Sequence, residues 1–198
     1  MEQLDLYADE ITTEEELRAV VGFPHEAMVQ KAVGILDDQI RRYIAMSPLF
    51  FLSTSHADGS CDVSPRGDAP GFVRVWDEKH LIFPERQGNR RADSLLNLLG
   101  NPHVGMVFII PGMEEVLRIN GRARIIRTPK VLSELQAGSQ TPQLGVVVEA
   151  QACYIHCSRA LKSSAIWNSG TWPKPEALPS SKEMFHAHLK INGYKLNT

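Results

Sequence analysis

Apolar residues recur at three- and four-residue steps through the first quarter of the chain, then alternate with polar ones along most of the rest. The first spacing is that of helices and the second that of strands. Thr13 and Glu16 have the spacing of a capping box, which predicts a helix from near Glu14 with Leu17, Val20 and Val21 as its apolar positions. Pro24 opens a second helical run, in which His25, Met28, Val29, Ala32, Val33 and Leu36 form one face. Helical spacing resumes in DDQIRRYIA and ends before Pro48.

From residue 49 the runs shorten and become rich in β-branched residues. LFFLSTS (49–55) and CDVSPRG (61–67) flank Asp58-Gly59, a strong hairpin signal. FVRVW (72–76) and LIFPE (81–85) predict two more strands around the turn DEKH. A helix is expected from Arg90 to Leu99, with Asn89 as N-cap and Gly100 at the C-cap position. HVGMVFII (103–110), EVLRINGRARIIR (115–127) and LGVVVEAQACYIHC (144–157) complete the strands. A short helix separates the last two, from Pro129 to Gln136. SRALKSSAIW predicts a last helix, and the segment from Thr171 onward reads as a Pro-, Ser- and Lys-rich tail. Strands in hairpin-like succession predict an α+β chain, mainly β, built on an antiparallel sheet or small barrel. The division is a helical segment (1–47), a barrel (48–170) and a tail (171–198).

Composition narrows the function classes. The chain has 198 residues, 43% hydrophobic and 22% charged, which suits one ordinary soluble domain. A net charge of -2 gives no global field for nucleic acid or an anionic membrane, so an anion site must arise from local clustering. The acidic N-terminus lacks a signal-peptide core, and no apolar run approaches the roughly 20 residues of a membrane span. Three cysteines, an odd number, suit a reducing compartment. These features predict a cytoplasmic protein.

The candidate chemistry is carried by arginine. In FPERQGNRRADSLLNLL (83–99), Arg90 and Arg91 fall at the expected helix start with Arg86 nearby, where the helix dipole normally favours acids. Backbone N–H groups and guanidinium forks together suit a phosphate. The alternative is a solvated basic turn offset by Glu85 and Asp93. Arg66 is placed either for an anion or for pairing with Asp62 or Asp68. Arg74 interrupts an apolar strand whose Val73 and Val75 face the other side, so it lies on an outer face or in a ligand groove. On the 115–127 strand, Arg118, Asn120, Arg122 and Arg124 share one face, and Leu117, Ile119, Ala123 and Ile125 the other. That arginine face suits either solvent or a dimer or ligand surface.

Other motifs fall away. Cys153 and Cys157 share a strand face but lie about 13 Å apart, too far for one metal. Rossmann, P-loop and nucleophile-elbow motifs are absent, and so is a basic–aromatic platform for single-stranded nucleic acid. No side chain stands out as a catalytic acid, base or nucleophile.

The phrases VSPRGDAPGFVRV, GNRRADSLLNLLGNP and LRINGRARI, in this order and spacing, resemble the FMN-binding split barrels of the pyridoxamine 5'-phosphate oxidase class. The resemblance covers roughly residues 45–167 and is closest to a bacterial branch distinct from the vitamin B6 oxidase proper. It implies a homodimer with FMN at the subunit interface, and an FMN-dependent oxidoreductase of a small molecule, with NAD(P)H as candidate electron donor. A non-catalytic flavin-binding protein, or the same fold with F420 or haem (His156 as axial ligand), are the alternatives. By the resemblance, Asn89, Arg90 and Arg91 correspond to the oxidase's Ser-Arg-Lys phosphate phrase, and Arg66 and Arg74 are further phosphate or ribityl partners. The backbones of Val73, Val75 and Pro84 would face the flavin ring. The Arg118–Arg122 strand and Trp167 of the second subunit would close the site, with Trp167 equally readable as a packing anchor. Two features depart from the oxidase proper. Phe83-Pro84-Glu85 replaces its aromatic-Thr-Asn phrase, and its Arg-x-His-type substrate motif is not found.

Overall fold

A computed structural model describes residues 5–137 and 140–195. The chain divides into two compact units, Met1–His156 and Cys157–Thr198.

In the first unit, α1 (Glu14–Val21) begins at the expected capping box: Glu16 N–H donates to Thr13 Oγ1, and the Glu16 carboxylate accepts from Thr13 N–H. The second run is shorter than its spacing predicts. Helix α2 covers Glu26–Gln30 alone, and Val33 then pairs with Cys153 through two backbone hydrogen bonds of 3.0 and 2.7 Å. Strand-type pairing therefore takes over from a continuous apolar helix face. Helix α3 (Asp38–Met46) starts where the Asp37 carboxylate accepts from the N–H groups of Gln39 and Ile40. It buries Ile40, Tyr43 and Ile44.

The strands are β1 (Leu49–Ser55), β2 (Cys61–Gly67), β3 (Arg74–Val75), β4 (His80–Glu85), β5 (His103–Ile109), β6 (Val116–Ile126) and β7 (Leu144–His156). They form one antiparallel sheet in the order β2-β1-β5-β6-β7-β4-β3. The strand expected over 72–76 is reduced to two residues, because Phe72 closes a turn onto Ala69 and Trp76 turns onto His80.

Contacts across the sheet order show that the sheet is rolled. Phe50 on β1 meets Phe83 on β4 edge to face, 5.0 Å between centroids, and Arg66 on β2 ion-pairs with Glu85 on β4. The space inside is filled by Phe50, Leu52, Phe83, Met106, Phe108, Leu117, Ile119 and Val148, all essentially inaccessible to solvent. Burial of such side chains contributes about 1.5–3 kcal/mol each, as an upper estimate.

Alternation on β6 follows the sequence pattern: Leu117, Ile119, Gly121 and Ala123 are buried. On β7 the phase slips. Val146, Val148 and Ala150 are buried, then Cys153, because Asn120 faces Ala152 while Gly121 faces Ala150. Gln151 is thus the extra residue of a bulge. Gly121 is required opposite it, since a Cβ there would lie 2.1 Å from the Glu149 carbonyl oxygen.

Helix α4 (Asp93–Gly100) packs on β1, β2 and β6, and α5 (Pro129–Ser133) with the turn after it helps bury Ile82 through Leu132 and Leu135. In the second unit, α6 (Arg159–Ser164) matches the expected last helix. The segment read as a tail from residue 171 contains an eleven-residue helix, α7 (Ser181–Ile191), capped by the Ser180 hydroxyl. Its signal, Ser180 followed by Glu183, is an N-terminal helix signature that the surrounding Pro and Lys content obscured. Among the described residues no helix is long and apolar enough to cross a membrane.

Candidate anion and cofactor site

Three of the arginines singled out in sequence, Arg66, Arg74 and Arg86, stand on β2, on β3 and just after β4, along the seam of the rolled sheet, in three different electrostatic states. Arg66 reaches across the seam to Glu85, with both side chains about four-fifths buried (19% and 21% exposed). It pairs with Glu85 rather than with Asp62 or Asp68. Asp62 instead accepts from the Ser94 hydroxyl at 3.0 Å, and Ser94 in turn lies 3.0 Å from the Ser64 hydroxyl. Arg86 pairs with Asp68 at 2.8 Å. The Asp68 carboxyl is held below the usual carboxylate range, first by the Ala69 N–H and then by Arg86, with burial opposing both.

Arg74 differs from both. It is exposed on the outer side of β3 and makes no ion pair among the described residues. Its neighbours point inward as expected: Val73 is buried, and Val75 packs half-buried against the core. Arg74 and Arg86 line one open cavity of about 260 Å3, together with the 68–72 loop and residues 134–137.

The turn before α4 departs from expectation. The helix begins at Asp93, not at Arg90, and its N-cap is Ala92, which makes no side-chain cap. Gly100 is the last helical residue and Asn101 the C-cap. Asn89 accepts from Arg91 N–H at 3.0 Å, so it shapes a turn instead of capping the helix. Arg90 and Ala92 both have left-handed backbone, with φ of 65° and 58°. Such conformations cost L-residues roughly 1–2 kcal/mol. Arg91 pairs with Asp93 at 2.8 Å, with its side chain 74% exposed. A pair this exposed is weak. Arg90 is exposed and makes no ion pair among the described residues.

Pro84 is buried on β4, opposite Gly145 of β7. The pairing of β3 with β4 ends at Ile82, so Phe83–Glu85 extends past β3. Arg118 is elsewhere on the sheet, over the Tyr154 ring at 5.2 Å. Trp167 belongs to the second unit and is half-buried. The arginine face of β6 is outward: Arg122 and Arg124 are exposed, and Arg122 lies 3.2 Å from His103 Nε2. Cys61, Cys153 and Cys157 are free thiols.

Sequence reasoning missed Asp68 and the 134–137 turn as parts of this cavity. Asp68 had a local signal, lying two residues after Arg66. Residues 134–137 had none, since they arrive through the docking of α5 over β4 and β7.

The pyridoxamine 5'-phosphate oxidase family profile matches residues 36–157, well over half the chain. The chain belongs to this family. The seven-stranded antiparallel sheet is accordingly its split barrel. A pyridoxine/pyridoxamine 5'-phosphate oxidase of Enterobacter sp. (strain 638) is 28% identical over 92 residues, or 46% of this chain and 41% of that protein. The chain therefore matches about two fifths of the length of this curated relative. HupZ of Group A Streptococcus superposes with a TM-score of 0.50 at 17% identity, over 61% of this chain and 99% of that one. A Lactobacillus delbrueckii protein assigned as a pyridoxamine 5'-phosphate oxidase gives 0.49 at 19% identity, over 63% and 98%. At 17% identity the likeness to HupZ is one of fold. The family typically binds FMN, and some members use F420.

The residues present suit the phosphate end of such a cofactor. Arg74 offers a guanidinium with no carboxylate partner, Arg86 stands in the same cavity, and the exposed Arg91 pair is weak enough to exchange its carboxylate for a phosphate.

Proposed function

We propose that this chain is an FMN-dependent oxidoreductase acting on a small molecule, and that it works as a homodimer with FMN at the subunit interface. The observation that carries the reading is Arg74, an unpaired guanidinium lining the same cavity as Arg86.

In this reading Arg74 and Arg86 hold the phosphate, and Arg91, Arg90 and Asn89 close over it from the turn before α4. Arg66 has a different duty. Its largely buried pair with Glu85 clamps β2 to β4, so it fixes the seam on which the other arginines stand. The backbones of Val73, Val75 and Pro84 would supply the flat surface for the flavin ring. Bound FMN supplies hydride or single-electron transfer, and the protein orients it and tunes its charge. Asp68 remains a carboxylate at neutral pH, so it acts in positioning Arg86 and not as a proton donor.

In this reading the dimer enlarges the site. At about 260 Å3 the cavity is smaller than the roughly 300–1,000 Å3 usual for a small-molecule site. A second copy, contributing Arg118 and Trp167, would complete the enclosure.

The test is direct. The purified chain, incubated with FMN and freed of excess, is expected to retain flavin absorbance and to sediment as a dimer. NADH or NADPH under anaerobic conditions is expected to bleach that absorbance. A chain that retains no flavin contradicts the reading. Retained flavin that neither nicotinamide reduces would make it a flavin-binding protein without this activity.

A further inference from the structure

A second, larger cavity of about 460 Å3 shares no lining residue with the arginine cavity. It lies where the 31–43 segment crosses the ends of β6 and β7, and its volume is within the ordinary range of small-molecule sites. Val33, Ile40, Met113, Leu117 and Ile155 give it apolar walls.

Of the polar groups lining it, Tyr43 and Asp37 are already engaged, and the Gln39 side chain is exposed. The Tyr43 hydroxyl is within hydrogen-bond distance of the carbonyl oxygens of Phe108 and Glu115, at 3.3 and 2.9 Å. Burial, with a smaller contribution from Asp37, pushes the Cys153 thiol up to about 11, so that side chain is a neutral part of the wall. Asp37 is the acidic group lining the cavity, and its carboxylate is committed to two N–H groups at the start of α3, each at 2.9 Å.

One cation, Lys31, lines this cavity and is held in place. Lys31 Nζ donates to the Ile155 carbonyl oxygen at 3.1 Å and stands 5.4 Å from the Tyr154 ring centroid. Lys31 has no carboxylate within ion-pair distance among the described residues. Carbonyl and ring contacts fix the Lys31 ammonium without neutralising it. The complement of an apolar chamber with a fixed cation at its rim is an apolar body ending in one negative charge.

We propose that this cavity binds a medium-chain carboxylate, its chain among Val33, Ile40 and Leu117 and its head group on Lys31. This goes beyond the flavin reading and uses none of the arginine cavity.

Isothermal titration calorimetry of the full chain with decanoate, and in parallel with decan-1-ol, tests it. Decanoate is expected to bind at least tenfold more tightly than decan-1-ol. Lys31→Gln should remove most of that difference, and Val33→Trp, which fills the chamber, should weaken both ligands. FMN affinity should be unchanged in Lys31→Gln. Because Lys31 is an exposed side chain, that variant decides the matter even if Val33→Trp folds poorly. Equal affinity for acid and alcohol overturns the proposal, as does wild-type decanoate binding in Lys31→Gln. A parallel loss of FMN would assign the cavity to the flavin site. Absence of decanoate binding, with a dimer weakened by Val33→Trp, would assign it to a second copy; either result also overturns the proposal.

Discussion

The interior of the rolled sheet and its seam are held together by opposite means. Inside, Phe50 meets Phe83 and Phe108 at 5.0 and 4.9 Å between ring centroids, and no buried side-chain nitrogen or oxygen is left unpaired among the described residues. At the seam, Arg66 and Arg86 each answer a carboxylate, as Arg91 does in the turn before α4, and exposure rises from Arg66 to Arg91. Apolar contacts in the interior have no better partner to move to. An exposed ion pair does, because a phosphate with more charge and more acceptors can replace a carboxylate. The molecule thus keeps its exchangeable contacts where a ligand would arrive, and Arg74, with no carboxylate to give up, is the extreme case.

The sharpest way to break this contrast is to hollow the interior. Phe50→Ala removes a ring that touches Phe72, Phe83 and Phe108, and should cost about 3–5 kcal/mol in urea unfolding. A loss of less than about 1 kcal/mol would mean that the two edges of the sheet are not joined through this ring. Gly121→Ala comes next. Its new methyl would meet the Glu149 carbonyl, so about 1–3 kcal/mol or more should be lost, as backbone is slow to yield. An unchanged midpoint would place the β7 bulge elsewhere.

These two regions were also unequally legible in sequence. Interior strands announced themselves as short apolar and β-branched runs, and on β6 alternation recorded which side faces the core. Slippage on β7 at Gln151 was invisible, since a bulge changes the partner's register and leaves no composition behind. The 24–36 run misled for a related reason: its apolar spacing fits a helix, but Val33 pairs with Cys153, far away in sequence. At the seam, the residue types were legible and their geometry was not. Left-handed backbone is usually signalled by Gly or Asn. Here it falls on Arg90 and Ala92, so the helix start was placed three residues early. Which arginine finds which carboxylate depends on how far the sheet rolls, a tertiary fact.

The strained turn yields a smaller effect. Ala92→Gly should stabilise the protein by about 0.5–1 kcal/mol, relief of the left-handed strain outweighing the added freedom of the unfolded chain. A destabilised variant would show that the turn is not strained. The smallest effect lies far from the seam, at the β1–β2 hairpin. Asp58 is held down to about 2, first by the Ser60 N–H, then by the Ser60 hydroxyl and His56. A carboxyl lowered on folding stabilises the native state above its unfolded pKa, and that contribution is lost as pH falls through the folded value. Stability should therefore decline from near pH 4 towards pH 2, with a shallower decline in Asp58→Asn. Identical pH profiles for the two proteins would rule out the hairpin contribution.

The central claim is that the unpaired arginine at the seam holds the phosphate of FMN. Titrating the full chain into FMN and following the quenching of flavin fluorescence tests it most directly, with wild type and Arg74→Ala side by side. The wild type should saturate at one FMN per chain, and Arg74→Ala should bind more weakly by about 1.5–3 kcal/mol, roughly tenfold to a hundredfold, while riboflavin, which lacks the phosphate, should not distinguish the two. Equal FMN affinity for wild type and Arg74→Ala, or no saturation by the wild type, would contradict the account.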